Sequence, residues 1–212
     1  RARNGEQYVI KQPDMCECAP HKAARDILAD SCVVHVRCAK DKPGPCCVVM
    51  THEGEDLMDR ALSQSGLTHV DALEALAGAA ECVAALHENG DAHCDVKPDN
   101  ICRRLVDYGS MTPMGTPVPY TGITPGYFPP SMLGGLLTPA FDCYALAVSP
   151  GVILFRCKPP ADVELDADSA LRWGKGSIFA PLVRDLFTCE TASAIARRLR
   201  AAIRDCGETA TI

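Results

Sequence analysis

A short run of polar residues, His93 to Asn100, brings a carboxylate, a lysine and an amide within a few positions of one another. A second carboxylate, Asp107, follows further along the chain and directly precedes Tyr108 and Gly109. Phosphoryl transfer needs this set: a carboxylate to accept a hydroxyl proton, a lysine to neutralise the phosphate, and oxygen ligands for Mg²⁺. The residue types therefore indicate phosphate chemistry in this segment.

Each of these side chains has a candidate role. Asp95 is the candidate base, and Lys97 is the candidate group at the transferring phosphate. Mg²⁺ prefers hard oxygen ligands and few of them, so Asn100 and Asp107 make a chemically sufficient pair of metal ligands.

The same residues resemble the motifs of the eukaryotic protein kinase family. His93 to Asn100 looks like the catalytic loop H-R-D-x-K-P-x-N, and Asp107 to Gly109 looks like D-F-G. The pair Lys97-Pro98 is similar to the Ser/Thr-directed branch. The resemblance implies transfer of the ATP γ-phosphate to hydroxyls of a protein substrate, with ATP and Mg²⁺ as cofactors. The divergent, alanine-rich form also resembles kinases carried by large DNA viruses.

The resemblance extends to the nucleotide site. The segment Tyr8 to Lys11 is similar to V-A-I-K, which implies that Lys11 contacts the ATP phosphates. Met50 resembles a gatekeeper residue at the end of a strand. Thr51 and His52 would then offer backbone groups to adenine.

Three further residues have structural or substrate-positioning roles by the same resemblance. Thr124 lies in a segment similar to the end of the activation segment and is expected to hydrogen-bond Asp95 and Lys97. Asp142 resembles the buried helix acid that ties the backbone of the catalytic loop. His93 is expected to pin that loop by packing, because Asp95 already supplies the base.

Several positions depart from the kinase pattern. Ala24 stands where the resemblance expects the helix glutamate that pairs with Lys11, and Asp26 falls on another helical face. Cys94 replaces the arginine of the catalytic loop, and Ser131 replaces the glutamate of A-P-E. These departures are the basis of an alternative function, a pseudokinase that acts as a nucleotide-binding or partner-binding scaffold. The filled positions Asp95, Lys97, Asn100 and Asp107 favour the enzyme.

The resemblance implies an α+β, bilobal, protein-kinase-like fold. Residues 1–54 are expected to form a small N-lobe and hinge, rich in β-structure and with one helix over Lys22 to Leu28. This lobe starts near the family's second strand, so a Gly-rich phosphate loop is expected upstream of Arg1 or is missing. The predicted strands are Tyr8 to Ile10, Val33 to Arg37 and Cys46 to Met50.

Residues 55–212 are expected to form a mainly helical C-lobe. Thr68 and Asp71 have the spacing of a capping box, and the helix that they start ends at Asn89. The apolar run from Phe141 to Phe155 predicts a central helix with a kink at Pro150.

Composition excludes some classes of protein. The formal net charge of the 212 residues is −6, which argues against a nucleic-acid-binding protein. No apolar run is long enough for a membrane span, and Arg1 to Lys11 lacks the apolar stretch of a signal peptide. We therefore expect an intracellular protein, either cytoplasmic or nuclear.

The 13 cysteines are many for this length. Their odd number and the adjacent pair Cys46-Cys47 argue against a disulfide framework. A zinc site with Cys16, Cys18 and His21 is the alternative, but the sequence pattern does not complete four ligands. Buried, reduced thiols are therefore the favoured interpretation.

Overall fold

The computed structural model describes residues 7–12, 17–28, 32–38, 44–63, 67–160 and 163–206. The chain is an α+β protein with small antiparallel sheets and several helices. The strands are β1 (Tyr8–Lys11), β2 (Val33–Arg37), β3 (Cys47–Thr51), β4 (Asp91–Ala92) and β5 (Thr112–Pro113). The helices are α1 (Cys18–Ile27), α2 (Leu57–Leu62), α3 (His69–Glu88), α4 (Pro139–Phe155), α5 (Ala167–Trp173), α6 (Ala180–Leu186) and α7 (Ala192–Asp205).

The first three strands form one antiparallel sheet in the order β1-β3-β2. Valine and isoleucine fill these strands, as expected for residues that pack on a pleated surface. In the register, Ile10 lies opposite Val49, and Val36 lies opposite Val48. The strand predictions are confirmed to within one residue. β1 brings Lys11 to the end of the sheet beside α1.

Helix α1 begins earlier than the sequence predicts. The expected start at Lys22 is wrong, because the helix already begins at Cys18. Pro20 lies in its first turn, where a missing backbone N–H costs nothing. Glu17 consequently becomes the N-cap residue and lies at the helix end nearest the site.

The long helix α3 is the centre of the main hydrophobic core. Its capping box is present as predicted: Thr68 Oγ1 accepts from the Asp71 backbone, and the Asp71 carboxylate accepts from the Thr68 backbone. The helix stops at Asn89, and Gly90 follows with φ +88°. α3 packs along α7 and against α4, so these three helices hold the loop that follows α3.

Helix α4 is buried along almost its whole length and runs through Pro150 as one element. The next residue, Gly151, is required by the neighbouring Trp173, since a Cβ would come within 2.2 Å of the indole ring. Of the described residues, no helix is both long enough and apolar enough to cross a bilayer.

The segment between β5 and α4 is irregular but held by backbone hydrogen bonds. Val118 N donates to Gly135 O at 3.0 Å, and Leu137 N donates to Thr116 O at 2.7 Å. Beneath it lies a second, small hydrophobic cluster. Its buried members are Ala92, Cys94, Val118, Leu137 and Phe141.

We predict a large difference between two leucine truncations. Leu76 in α3 is fully buried, whereas Leu62 at the end of α2 is 77% exposed. Leu76→Ala should lower the free energy of unfolding by about 2–5 kcal/mol, because it removes apolar contacts and leaves a cavity. Leu62→Ala should change it by less than about 0.5 kcal/mol. Urea denaturation measures both, and equal effects would contradict the placement of α3 at the core.

Candidate active site

The loop after α3 is anchored by one buried carboxylate. Asp142, in the first turn of α4, is fully buried and accepts hydrogen bonds from the backbone N–H groups of His93 at 2.7 Å and Cys94 at 2.9 Å. His87 Nε2 lies 3.0 Å from the same carboxylate. Burial alone would raise the pKa of Asp142, but the hydrogen bond and charge of His87 and the contact with His93 hold it below the ordinary carboxyl value. The contacts expected between Asp142 and the loop backbone are present.

Cys94 adopts a backbone conformation that is rare for a non-glycine residue. Its φ is +67°, and its side chain is buried in the small hydrophobic cluster. Such strain persists only where neighbouring contacts determine it. The hydrogen bond from Cys94 N to Asp142 Oδ1 at 2.9 Å is one of these contacts.

Three side chains converge on Asp95. Thr124 Oγ1 donates to Asp95 Oδ1 at 2.7 Å, and Lys97 Nζ donates to Asp95 Oδ2 and to Thr124 Oγ1, each at 2.8 Å. Asn100 Nδ2 donates to the backbone oxygen of Asp95 at 2.8 Å and to Oδ2 at 3.0 Å. The hydrogen bonds that the sequence predicts for Thr124 are both present.

Asp107 lies next to this loop because the preceding residue, Val106, is hydrogen-bonded to the loop. Val106 N donates to Asn100 O at 2.9 Å, and His93 Nε2 donates to Val106 O at 3.1 Å. Asp107 itself has φ +57°, and its carboxylate also accepts from Gly109 N at 3.4 Å. The structure thus joins the two sequence motifs through backbone contacts.

The donor set at this place fits Mg²⁺. The amide nitrogen of Asn100 is directed to Asp95, so the amide oxygen is the group that Asn100 can offer to a cation. The carboxylate of Asp107 is partly exposed, at 44% of its side-chain area. An amide oxygen and a carboxylate are hard ligands of the kind that Mg²⁺ binds.

Lys11 pairs with a carboxylate that the sequence analysis did not assign. Its Nζ lies 2.7 Å from Glu17 Oε2 and 2.7 Å from Asp107 Oδ1. The assignment of the helix position to Ala24 is therefore wrong: Ala24 is fully buried in the main core, two turns further along α1. The sequence carried one usable indication, because Glu17 and His21 have the spacing of one helical face.

Lys11 and Asp107 shift each other's pKa. Burial lowers the pKa of Lys11, but the hydrogen bonds and charges of Asp107 and Glu17 outweigh it and raise the pKa. Burial correspondingly raises the pKa of Asp107, and the contact with Lys11 overcomes this and lowers it. Both groups are therefore charged at neutral pH.

Three buried rings connect α1 to the loop. The His21 and Tyr108 rings lie edge to face with centroids 6.3 Å apart, and Tyr108 meets His93 in the same way at 5.5 Å. His21 Nδ1 donates to Glu17 O at 2.9 Å, which leaves Nε2 facing Asp107 Oδ1 at 4.0 Å. Burial lowers the pKa of His21 and of His93, so both rings are neutral.

The adenine-binding residues expected from the sequence are partly committed elsewhere. Met50 packs against the main core from β3. Thr51 N donates to Cys32 O and His52 N donates to Gln7 O, both at 2.9 Å. An adenine contact at Thr51 or His52 would therefore use a carbonyl oxygen rather than a backbone N–H.

Ser131, where the kinase pattern has glutamate, has a polar partner of its own. Its backbone N and its hydroxyl donate to the two carboxylate oxygens of Glu164, each at 3.0 Å. A pair of neutral donors on a carboxylate therefore stands where the kinase pattern has an ion pair.

Comparisons with known proteins give a distant relationship to a protein kinase. The chain is 29% identical over 118 residues to calcium/calmodulin-dependent protein kinase type IV of Homo sapiens, which covers 50% of this chain and 25% of the human protein. The proteins of that name from Rattus norvegicus and Mus musculus align with the same identity and coverage. The chain thus spans about a quarter of the length of these relatives. No family profile matches the chain. The resemblance to viral kinases stays a prediction.

We predict that folding stability falls in acid partly through His93. Nδ1 of this ring accepts from Asp95 N while Nε2 donates to Val106 O, so the site suits only the neutral ring. Its folded pKa is lowered, so the unfolded chain binds the proton first as pH falls below about 6.5. The stabilisation is complete above that pH and is lost as pH falls through the folded pKa.

The measurement is urea denaturation at pH 7.5, 6.0 and 5.0. His93→Phe keeps a ring beside Tyr108 but cannot titrate, so its stability should be lower at pH 7.5 and should fall less steeply toward pH 5. The slope should decrease by up to about 1.4 kcal/mol per pH unit. Identical slopes for the two proteins would refute the assignment.

Proposed function

We propose that the chain belongs to a Ser/Thr protein kinase that transfers the ATP γ-phosphate to hydroxyls of a protein substrate. The observation that carries the proposal is the hydrogen-bonded group of Asp95, Lys97, Thr124 and Asn100, beside the pair of Lys11 and Asp107. The site thus combines a candidate base, two lysines and two candidate metal ligands. The distant similarity to a protein kinase supports the same class.

The proposed fold is the bilobal kinase arrangement, with residues 1–54 as the N-lobe and hinge and 55–212 as the C-lobe. The three-stranded sheet with α1 falls in the first part, and the helices from α2 onward fall in the second. The candidate site uses residues of both parts: Lys11 and Glu17 come from the first, and the loop residues come from the second.

Each side chain has a role in this mechanism. Asp95 accepts the proton of the substrate hydroxyl through a carboxylate oxygen, and Thr124 holds that carboxylate in place. Lys97 neutralises charge on the transferring phosphate, and Lys11 neutralises charge further along the triphosphate. Mg²⁺ held by Asn100 and Asp107 would supply charge neutralisation at the phosphates when bound.

Glu17 supports an enzyme over the scaffold alternative. The absence of a helix partner for Lys11 was one reason to favour a pseudokinase, and Glu17 fills that position from the N-cap of α1. Cys94 and Ser131 remain as departures. The scaffold alternative predicts binding of nucleotide or a partner without phosphate transfer.

The first test of the proposal is phosphate transfer from radiolabelled ATP with Mg²⁺ to a generic Ser/Thr acceptor, with the full-length protein. Asp95→Asn should reduce transfer by at least about 100-fold, because the amide cannot accept the proton. Asp99→Asn is the matched control, since Asp99 is an exposed carboxylate in the same loop. Wild-type transfer no greater than that of Asp95→Asn would refute the kinase proposal.

A binding measurement on the same variants separates an enzyme from a scaffold. Asp95→Asn should keep the Mg²⁺-ATP-dependent rise in melting temperature, whereas Asp107→Ala should lose it because a metal ligand is removed. A rise that persists in Asp107→Ala would show that the metal ligand is assigned wrongly. A rise in the wild type without any transfer would favour the scaffold.

We further predict that Gly109→Ala impairs transfer by displacing Glu17. A Cβ at Gly109 would lie 2.5 Å from Glu17 Oε2, so the carboxylate must move away from Lys11. The rate of transfer at low ATP should fall by about 10- to 100-fold, because a misplaced Lys11 orients the phosphates poorly. Folding should be little affected, since only the end of a flexible side chain moves.

Two comparisons make this prediction specific. Gly78→Ala in α3 is the control, because its Cβ would meet nothing within 4 Å. In a Glu17→Ala background, Gly109→Ala should add little to the defect, since its target is already removed. Full additivity of the two substitutions would contradict the proposed route through Glu17.

A further inference from the structure

Three cysteines from separate parts of the chain meet at one end of α1. Cys18 is the first residue of α1, Cys38 directly follows β2, and Cys46 directly precedes β3. Their sulfur atoms all lie within 4.8 Å of one another. Strand β2 separates Cys38 and Cys46 from Cys18 in the sequence. The spacing of the cysteines therefore does not predict this cluster.

The cluster differs from the zinc site weighed in the sequence analysis. Cys16 lies outside the described residues. His21 Nε2 lies 4.0 Å from Asp107 Oδ1 and groups with Glu17 and Asp107 rather than with the cysteines. Cys38 and Cys46 take their place as companions of Cys18.

We infer that Cys18, Cys38 and Cys46 form a binding site for a thiophilic divalent cation of the Zn²⁺ class. Zinc is bound by thiolates at about 2.3 Å in tetrahedral geometry, which places the sulfurs roughly 3.8 Å apart. Sulfurs already within 4.8 Å of one another need to move by at most about 1 Å to reach this geometry. Three ligands converge here among the residues that the structure describes, and the inferred site leaves the fourth position to a water molecule or another small ligand.

The surroundings of the cluster are suited to such an ion. Cys18 is 3% exposed, and its Sγ is 3.2 Å from Arg37 O, which directs it to the end of β2. Cys38 and Cys46 are half-buried and leave an approach from solvent. Three thiolates with one divalent cation carry a formal net negative charge. The guanidinium of Arg37 packs against Gly44, two residues before Cys46.

Binding at this site requires no oxidant or reductant. Three S–H groups lose their protons to the buffer, and three metal–sulfur bonds form in their place. Sulfur stays at the thiolate oxidation level throughout. Hard cations such as Mg²⁺ prefer oxygen ligands, so they should not compete for the cluster.

The site would fasten α1 to the sheet at the point where the helix carries Glu17. Glu17 immediately precedes Cys18 and forms the ion pair with Lys11. A cation shared by Cys18, Cys38 and Cys46 therefore fixes the end of the helix from which this carboxylate projects. Cation binding itself is independent of the proposed kinase activity and is measured without ATP.

The test uses the full chain, reduced and stripped of metal under anaerobic conditions, and titrated with Co²⁺ and Zn²⁺. The wild type should bind one equivalent with the near-ultraviolet sulfur-to-cobalt absorption of thiolate ligands, and Zn²⁺ should displace the Co²⁺. Cys18→Ser, Cys38→Ser or Cys46→Ser should each weaken Zn²⁺ binding at least about tenfold and reduce the absorption, because one metal–sulfur bond is lost.

Cys47→Ser is the matched control. Cys47 is the chain neighbour of Cys46 but lies outside the cluster, on β3. It should keep wild-type affinity and absorption, and Zn²⁺ should raise its melting temperature as it does for the wild type. Zn²⁺ should raise the melting temperature of Cys46→Ser much less.

Three results would overturn the inference. One is the absence of a stoichiometric Zn²⁺ complex in the wild type. Another is an equal loss of affinity in Cys47→Ser and Cys46→Ser, which would indicate adventitious binding to thiols. The third is a disulfide between two of the three cysteines in the protein as purified, detected by mass spectrometry of unreduced peptides. If apo Cys46→Ser melts well below the apo wild type, Cys38→Ser carries the comparison.

Discussion

The carboxylate of Asp142 is a charge placed where water cannot reach it, and the loop that carries Asp95 is built around it. An ionised carboxylate in the core is tolerated only when donors surround it. Here two successive backbone N–H groups, of His93 and Cys94, and the ring of His87 serve as those donors. The requirement to satisfy this charge fixes the loop backbone, including the strained residue Cys94.

From this anchor the rest of the candidate site follows by short connections. His93 is held at its backbone by Asp142, and its ring holds Val106, which precedes Asp107. Asp107 in turn meets Lys11 from the sheet, and Lys11 meets Glu17 from α1. Each connection is a hydrogen bond or an ion pair, and all but the one between Lys11 and Glu17 join residues at least 13 positions apart in the chain. Since the anchor Asp142 is on α4, the packing of α4 against α3 supports the position of the whole site.

Local patterns predicted a large part of this arrangement. The capping box of α3, the strands of the sheet and the helix around Asp142 are encoded by residues near one another, so spacing and residue type were sufficient. The contacts of Thr124 and Asp142 were accessible through the resemblance to a kinase.

Other features could not be obtained in this way, because they depend on where the elements meet. Helix α1 begins at Cys18 rather than at Lys22, and Lys11 pairs with Glu17 rather than with a residue at the position of Ala24. The cysteine cluster joins residues from three elements, and the bond between Ser131 and Glu164 spans a long stretch of chain. Sequence periodicity carries no information on contacts between residues of different secondary-structure elements.

The crowding around Asp95 has a consequence for the resting protein. Its two carboxylate oxygens are already engaged by the hydroxyl of Thr124, the ammonium of Lys97 and the amide of Asn100. An ionised carboxylate has about four lone-pair sites, so one site, on Oδ1, stays open beside Thr124. In the proposed mechanism the substrate hydroxyl would donate to this open site, so Lys97 and Asn100 need not leave Asp95 for the proton to be accepted. The three contacts would then hold the carboxylate in one orientation and leave a single direction open to an incoming proton donor.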